Sequence, residues 1–241
     1  MREPTFALVK VSKEVSCPHC YGVKIVKNGI KKTGKQNLLC TDCCKQFQSE
    51  YVYRGADRSV KEVLVKMLLR GSGVRDCAAV LAISTGSVLR TIISEGLELQ
   101  IKAKQQHYSK VQIDEQWSYV QNKEKKVWMI YAVCAESGEI LAASWGKRTK
   151  KNVEMLMLRL KHLEIDCYCT DDWVSFKEVL PSQKHLIGKI HTKKIEGINT
   201  WFRARLSRLT RRTTKFSKKL KYHYAIMKMA IIKRNQYASY I

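Results

Sequence analysis

Between Val111 and Gly146 three runs, VQIDEQWSYV, KVWMIYAVCA and EILAASWG, read as consecutive β-strands, and they limit what the rest of the chain can become. The middle run is almost wholly apolar, as a strand covered on both faces must be. Gly138 marks the turn between the second and third. KKNVEMLMLRLKHL follows as an amphipathic helix with Val153, Leu156, Leu160 and Leu163 on one face. IDCYCT then reads as a short fourth strand and KHLIG as a fifth. Three meandering strands, a helix, a further strand and more helices predict an α/β fold of ribonuclease-H-like arrangement over 111–210.

Strand parity sorts the acidic residues. Asp114 shares a face with Gln112, Gln116 and Ser118, while Glu115 shares the other with Ile113, Trp117 and Tyr119. Asp114 is therefore the better ligand candidate. Glu115 reads as a supporting group or a partner for a basic side chain. Asp171 follows the fourth strand, where α/β sheets place active residues. Glu196, Asn199 and Arg203 fall at i, i+3 and i+7 of a predicted helix, beside an apolar face of Ile195, Ile198 and Phe202. Asp114, Asp171 and Glu196, brought together, would form a carboxylate cage for divalent metal, whose hard oxygens suit Mg²⁺ or Mn²⁺.

Charge names the partner. Lys plus Arg number 45 against 21 Asp plus Glu, a formal net charge of +24, which favours a polyanion, double-stranded DNA first of all. After Glu196 no acid occurs, while Arg203, Arg205, Arg208, Arg211, Arg212, Lys215, Lys218, Lys219 and Lys221 supply candidate phosphate contacts. Arg205, Arg208 and Arg212 are expected on one helical face, and residues 211–241 as a basic helical tail. Trp201, Phe216 and Tyr222 interleave with these cations as core aromatics or base-stacking platforms. No run of about 18 apolar residues appears, so no membrane partner is expected. With no signal-peptide pattern in MREPTFALVKVSKEV, a cytoplasmic, nucleoid-associated protein follows.

Four of the nine cysteines form two CxxC pairs, Cys17/Cys20 and Cys40/Cys43. Each such turn aims two thiolates at one point, and two turns complete a tetrahedral structural zinc site. Residues 1–55 are expected to be a zinc ribbon with short strands around the NG and TGK turns. Cys44, beside Cys43, is the alternative fourth ligand, although regular spacing favours Cys43. Lys24, Lys27, Lys31, Lys32 and Lys35 are candidate phosphate contacts or a solvated ribbon surface. Residues 56–96 carry three short helical patterns, with Gly71 ending the first and Ser84 capping the third. This is a helix-turn-helix pattern, offering Thr85, Ser87, Arg90 and Thr91 to a major groove. Residues 97–110 read as a linker.

Taken with CPHC, CTDC, GVRDCAAVLAISTGSVLR, DEQWSYV, TDDW and IEGINTWFRARLSRLTRRTTKFSK, the chain resembles the insertion-sequence-one family of transposases, a DDE recombinase group. The resemblance implies a zinc ribbon, a helix-turn-helix and a ribonuclease-H-like catalytic domain. It implies Asp114, Asp171 and Glu196 as catalytic carboxylates holding two Mg²⁺ or Mn²⁺ ions, with Asn199 and Arg203 matching the pattern after the glutamate. Its implied activity is cleavage at the inverted repeats of an insertion sequence and joining of the 3′ ends to target DNA, by at least a dimer. One departure is Asp172, where the family often has glycine. A DNA-binding regulator descended from such an enzyme, and a plain metal-dependent nuclease of the same fold, are the competing readings.

Overall fold

The computed structural model describes residues 15–32, 34–48, 53–210 and 212–237. The chain divides into two compact units, 1–53 and 54–241.

The first unit is a three-stranded antiparallel meander of β1 (Ile25–Ile30), β2 (Gln36–Cys40) and β3 (Gln46–Gln48). The NG turn at Asn28–Gly29 is not a hairpin. Gly29 adopts φ +71° where the β1–β2 register slips, so it forms a bulge, and the chain reverses further on, around Gly34 at φ +76°. Among the described residues its buried apolar interior is Leu38 and Phe47 together with Cys17 and Cys40. So small a cluster gives little drive to fold without a cross-link.

The second unit opens with three short helices, α1 (Arg58–Leu68), α2 (Val74–Leu81) and α3 (Thr85–Gly96). Asp57 caps α1 by accepting from the Ser59 N–H at 2.8 Å, and Ser84 caps α3 by accepting from the Ser87 N–H at 3.1 Å. Between α2 and α3 the chain turns through 111°. Leu64, Leu68, Cys77, Leu81, Val88 and Ile92 are buried among these helices.

A five-stranded mixed sheet follows, in the order β6-β5-β4-β7-β8. It comprises β4 (His107–Tyr119), β5 (Lys126–Cys134), β6 (Ile140–Gly146), β7 (Glu164–Thr170) and β8 (His185–Ile187). β4, β5 and β6 pair antiparallel, whereas β7 and β8 add on parallel to β4. β4 begins at His107, so the last residues of the expected linker are already in the sheet, drawn in by pairing His107 with Glu164.

Alternate residues of β5 separate two cores. Met129, Tyr131 and Val133 face one layer with the three short helices, α6 (Lys193–Arg205) and α7 (Leu220–Tyr237). Ile130, Ala132 and Cys134 face the other, with Val153, Leu156 and Leu160 of α4 (Lys150–Leu160) and Phe176 of α5 (Val174–Val179). The strand is apolar on both sides because both faces are covered.

The C-terminal segment differs from the basic tail expected of it. α7 buries Ala225, Ile226, Met227, Met229, Ala230 and Ile231. Asn235 brackets Ile140 of β6 with bonds of 2.8 and 2.9 Å, and Lys228 donates to the Leu97 carbonyl at 2.7 Å. Its lysines and arginines ride on a helix whose apolar residues are needed to cover the sheet. Among the described residues no single helix is long and apolar enough to cross a membrane.

At the α3–α7 crossing, a Cβ on Gly96 would lie 2.6 Å from the Ala225 carbonyl oxygen. Gly96→Ala should therefore destabilise the protein by about 1–3 kcal/mol, although alanine is the better helix former. Urea unfolding monitored by circular dichroism measures this directly.

Candidate metal and catalytic sites

β4 and β7 run side by side from His107/Glu164 to Gln112/Cys169, and β7 ends at Thr170. β4 continues, paired with β5 alone, and its first residues past that end carry the acids. Asp171 is the next residue along the chain from β7. A crevice at the carboxyl ends of parallel strands follows from this topology. Carboxylate oxygens of Asp114, Glu115 and Asp171 lie within 4.8 Å of one another.

Each acid is held differently. Asp114 Oδ2 accepts from Asn199 Nδ2 at 2.8 Å, and its Oδ1 accepts from the Glu115 N–H at 2.7 Å. Asn199 Oδ1 accepts in turn from the Tyr131 hydroxyl at 2.8 Å, and Tyr131 is the cross-strand partner of Asp114. Glu115 Oε1 is gripped by Arg148 at 2.6 Å, while its Oε2 is buried with no hydrogen-bond partner. The Arg148 guanidinium also lies over Trp173 at 4.3 Å and Trp128 at 5.5 Å. Asp171 Oδ1 accepts from the Trp173 N–H at 3.2 Å. Arg148 thus links Glu115 on β4 to the segment bearing Asp171.

Burial pushes the Asp114 carboxyl up to about 7. The charges of Glu115 and Asp171 add to this, against the donors from Glu115 N–H and Asn199. Burial also raises Glu115, with Arg148 opposing. Crowded carboxylates with an unpartnered buried oxygen, all hard donors, fit a divalent cation.

Two further acids lie outside this cluster. Glu196 is exposed on the first turn of α6, within 3.4 Å of Thr192 Oγ1, and does not join the 4.8 Å cluster. The residue that docks on Asp114 is Asn199, one turn further along, and Glu115 takes the third place. Asp172 is turned to solvent and paired with Lys177 at 2.5 Å, so it does not intrude on the cluster.

Parity was a good guide to β4 but gave no sign of what its polar face does. Gln112 donates to the His191 carbonyl at 2.6 Å and accepts from the Ile195 N–H at 2.9 Å. Gln116 donates to the Asn199 carbonyl at 3.3 Å, and Ser118 bonds His223 at 3.0 Å. These residues dock α6 and α7. Arg148, Trp173 and Tyr131 were missed, because their roles depend on packing between distant elements. Only the run TDDW hinted at Trp173.

In the first unit, Cys17, Cys20, Cys40 and Cys43 present sulfurs within 4.8 Å of one another. Cys17–Cys43 and Cys20–Cys40 are each 3.6 Å apart, too long for a disulfide. Zn–S bonds of about 2.3 Å set tetrahedral sulfurs roughly 3.8 Å apart, so the donors fit zinc. Cys44 lies outside the cluster, in the left-handed region at φ 56° with its Sγ 4.0 Å from the Thr41 carbonyl. Of the ribbon lysines, Lys24, Lys27, Lys31 and Lys32 are exposed and Lys35 is half-buried.

The expected DNA contacts divide. On α3, Thr85 and Arg90 are exposed, but Ser87 and Thr91 are buried with Val88 and Ile92 on the stripe facing α1 and α2. Ser87 Oγ accepts from Arg90 NH2 at 3.0 Å instead of facing outward. Arg203 and Arg205 are half-buried and Arg212 is exposed. Arg208 is buried, donating to Ser217 Oγ at 2.7 Å, with its pKa lowered by burial to about 10. α6 stops at Arg205 and a 3₁₀ turn spans Ser207–Leu209, so Arg205, Arg208 and Arg212 share no helical face. Asn199 is buried in the site described above, and Arg211 lies outside the described residues. Phe216 packs against Tyr119 at 5.5 Å.

A mixed α/β domain with three carboxylates clustered just past the end of β7 offers a donor set for a divalent cation. A family profile described as IS1 transposase matches residues 109–237, the sheet, α4 to α6 and all of α7. The chain belongs to the IS1 transposase family. It is 37% identical over 116 residues to the insertion element iso-IS1n protein InsB of Shigella dysenteriae, covering 48% of this chain and 88% of that one. It is 33% identical over 112 residues to the insertion element IS1 protein InsB of Shigella sonnei, covering 46% and 86%. A chain from a simian T-cell lymphotropic virus intasome in complex with PP2A regulatory subunit B56 gamma aligns with TM-score 0.33 and 14% identity. That alignment covers 58% of this chain and 57% of the other, too loosely to bear on the fold.

The raised Asp114 predicts a pH signature. Its folded pKa of about 7 lies above the ordinary 3.8, so the stability it contributes is full below about 3.8 and lost as pH rises through 7. Without metal, the melting temperature should fall between pH 5.5 and 8. Mn²⁺ should raise it more at pH 8 than at pH 5.5, and Asp114→Asn should flatten both responses in thermal scans.

Proposed function

We propose that this chain is a DDE transposase, which binds the terminal repeats of its insertion sequence, cuts to expose 3′ ends and joins them to target DNA. The observation that carries the reading is Asp114, within β4, beside Asp171, just past the end of β7, in a chain of the IS1 transposase family. The sheet order, with an antiparallel β4–β5–β6 meander followed by parallel β7 and β8, supports a ribonuclease-H-like domain across 111–210. The four-cysteine cluster supports a zinc ribbon within 1–55, and the capped α2–α3 pair supports a helix-turn-helix within 56–96. Thr85 and Arg90 are the reading residues still available to a major groove.

Asp114 and Asp171 would hold Mg²⁺ or Mn²⁺, with the unpartnered Glu115 Oε2 as an available donor and Glu196 of α6 as the further carboxylate. Bound there, a pair of such ions supplies charge neutralisation for the attacking and leaving oxygens of phosphodiester chemistry. In the first step water attacks the phosphorus at the element's end and the P–O3′ bond breaks, leaving a 3′-hydroxyl and a 5′-phosphate. In the second that 3′-hydroxyl attacks a target phosphate and displaces its 3′ oxygen, with no protein–DNA bond at either stage. Asn199 fixes the rotation of the Asp114 carboxylate, so that Oδ1 and Oδ2 do not have to be ordered at the moment of reaction. Arg148 offsets the Glu115 charge and holds the Asp171–Trp173 segment against β4. Arg203 and Arg212 are phosphate contacts. Joining two element ends calls for at least two copies of the chain.

Labelled end-containing duplex and plasmid target, incubated with the protein and Mg²⁺ or EDTA, test the reading. Metal-dependent nicked and joined products are expected from the wild type, and none from Asp114→Ala or Asp171→Asn. Tight end binding without cleavage in Mg²⁺ or Mn²⁺ would instead define a regulator, and nicking without joining a nuclease. Asn199→Ala and Arg148→Ala should each lower cleavage about 10–100-fold, the usual cost of removing a group that orients a ligand. Cys40→Ser should abolish the bound zinc, read by atomic absorption at one ion per chain in the wild type.

A further inference from the structure

A groove of about 1170 Å³ opens between α1, α6 and α7, on the far side of α6 from the carboxylates. Asn199 points to Asp114, whereas Trp201, two residues on and about 200° around the helix, lines the groove. Lys61 and Lys66 of α1, Arg70 of the turn after it, Arg205 of α6 and Arg234 of α7 converge on it. Lys66 lies about 200° around α1 from buried Leu64, Lys61 is half-buried at the edge of the packed face, and Arg70 is exposed in the turn after the helix. Two acids also line the groove, Glu62 and Glu95, and Glu62 is already paired with Arg58 at 3.4 Å. Lys61, Lys66, Arg70 and Arg205 have no carboxylate within ion-pair distance among the described residues. Trp201 lies between two guanidiniums, Arg205 at 5.6 Å and Arg234 at 5.9 Å from its ring. Such stacking holds the Arg205 guanidinium in one orientation while leaving its N–H edge free for an oxyanion, whereas Arg234 already donates to the Gly138 carbonyl.

We propose that this groove seats the phosphate backbone of a DNA segment other than the one being cut. The inference rests on the reading of the chain as a transposase and adds a second DNA site to it. Uncompensated cations around a concave channel are what a polyanion binds, and the wall formed by α6 keeps a strand in the groove from also presenting its phosphate to Asp114 and Asp171. None of the groove cations belongs to the reading face of α3, so the contact is independent of sequence.

The test uses the full chain and a triple variant, Lys61→Gln, Lys66→Gln and Arg70→Gln, with thermal unfolding to establish that the variant is folded. Anisotropy of a labelled 30-base-pair duplex of arbitrary sequence, in EDTA across a KCl series, reports backbone contacts. The slope of log K against log salt should become shallower by about 0.9 for each contact removed. With Mg²⁺, nicking of the end-containing duplex should persist while joining to a separate target falls at least tenfold. Arg205→Lys, which keeps the charge but loses the planar stack on Trp201, should weaken binding without changing the slope. An unchanged slope and unchanged joining in the triple variant would overturn the proposal. So would unchanged DNA binding with loss of a labelled polyglutamate probe, which would make the groove a site for an acidic peptide. Absence of nicking by the wild type would instead defeat the catalytic reading, whereas salt-dependent binding by Asp114→Asn would leave the groove standing.

Discussion

The polar face of β4 is the constraint on which the second unit depends. Gln112, Asp114, Gln116 and Ser118 point the same way from one strand, into a layer that is otherwise apolar. Burying four such groups unpaired would cost several kcal/mol. Most of their polar atoms are paired by α6 and α7, through the backbone at His191, Ile195 and Asn199 and the side chains of Asn199 and His223, while Gln116 Oε1 stays buried without a hydrogen-bond partner. Each bond also fixes the position of a helix over the sheet. His223 is pushed by burial to a pKa of about 3 and stays neutral, as a group between Ser118 and Ser217 must. The same bonds that dock α6 deliver Asn199 to Asp114.

Electrostatics at the site follow from this docking. A strand between two covered faces has little water around it, so carboxylates at its end are held at a cost unless a cation arrives. Arg148 offsets one of them, through a contact that also packs against Trp173 and Trp128. The four sulfurs of the first unit show the same logic in a smaller setting. Among the described residues the core is Leu38, Phe47 and two cysteines, too slight to hold the strands by itself, and the four clustered sulfurs are a donor set that a shared ion would cross-link. Both sites gather donor groups whose clustering is unfavourable unless a cation is shared between them.

Periodicity identified most elements because each buries one side against a continuous layer. Ser84 was legible as a cap and Asp114 as the ligand because both depend on neighbours close in sequence. Arg208 was misread because its role depends on Ser217, across a 3₁₀ turn that helical spacing does not foresee. Ser87 and Thr91 were misread because polar side chains on an inward stripe look like a reading face when only their chemistry is considered. The tail was misread because charge dominates its composition, while Ala225, Ile226, Ala230 and Ile231 decide where it sits.

By itself the sequence determined most elements and their faces, the pairing of CxxC turns whose four sulfurs cluster, the excess of cations, and the two aspartates, Asp114 and Asp171, that come together. These follow from spacing along the chain, where 2.0- and 3.6-residue periods and the CxxC turn are local geometry. Only the tertiary structure decided that Glu115 stands beside Asp114, that Asn199 docks there while Glu196 faces solvent, and that Arg148 joins two strands' ends. Each of those depends on how distant elements pack and on which polar groups must be paired once water is excluded, and no spacing along one chain encodes that.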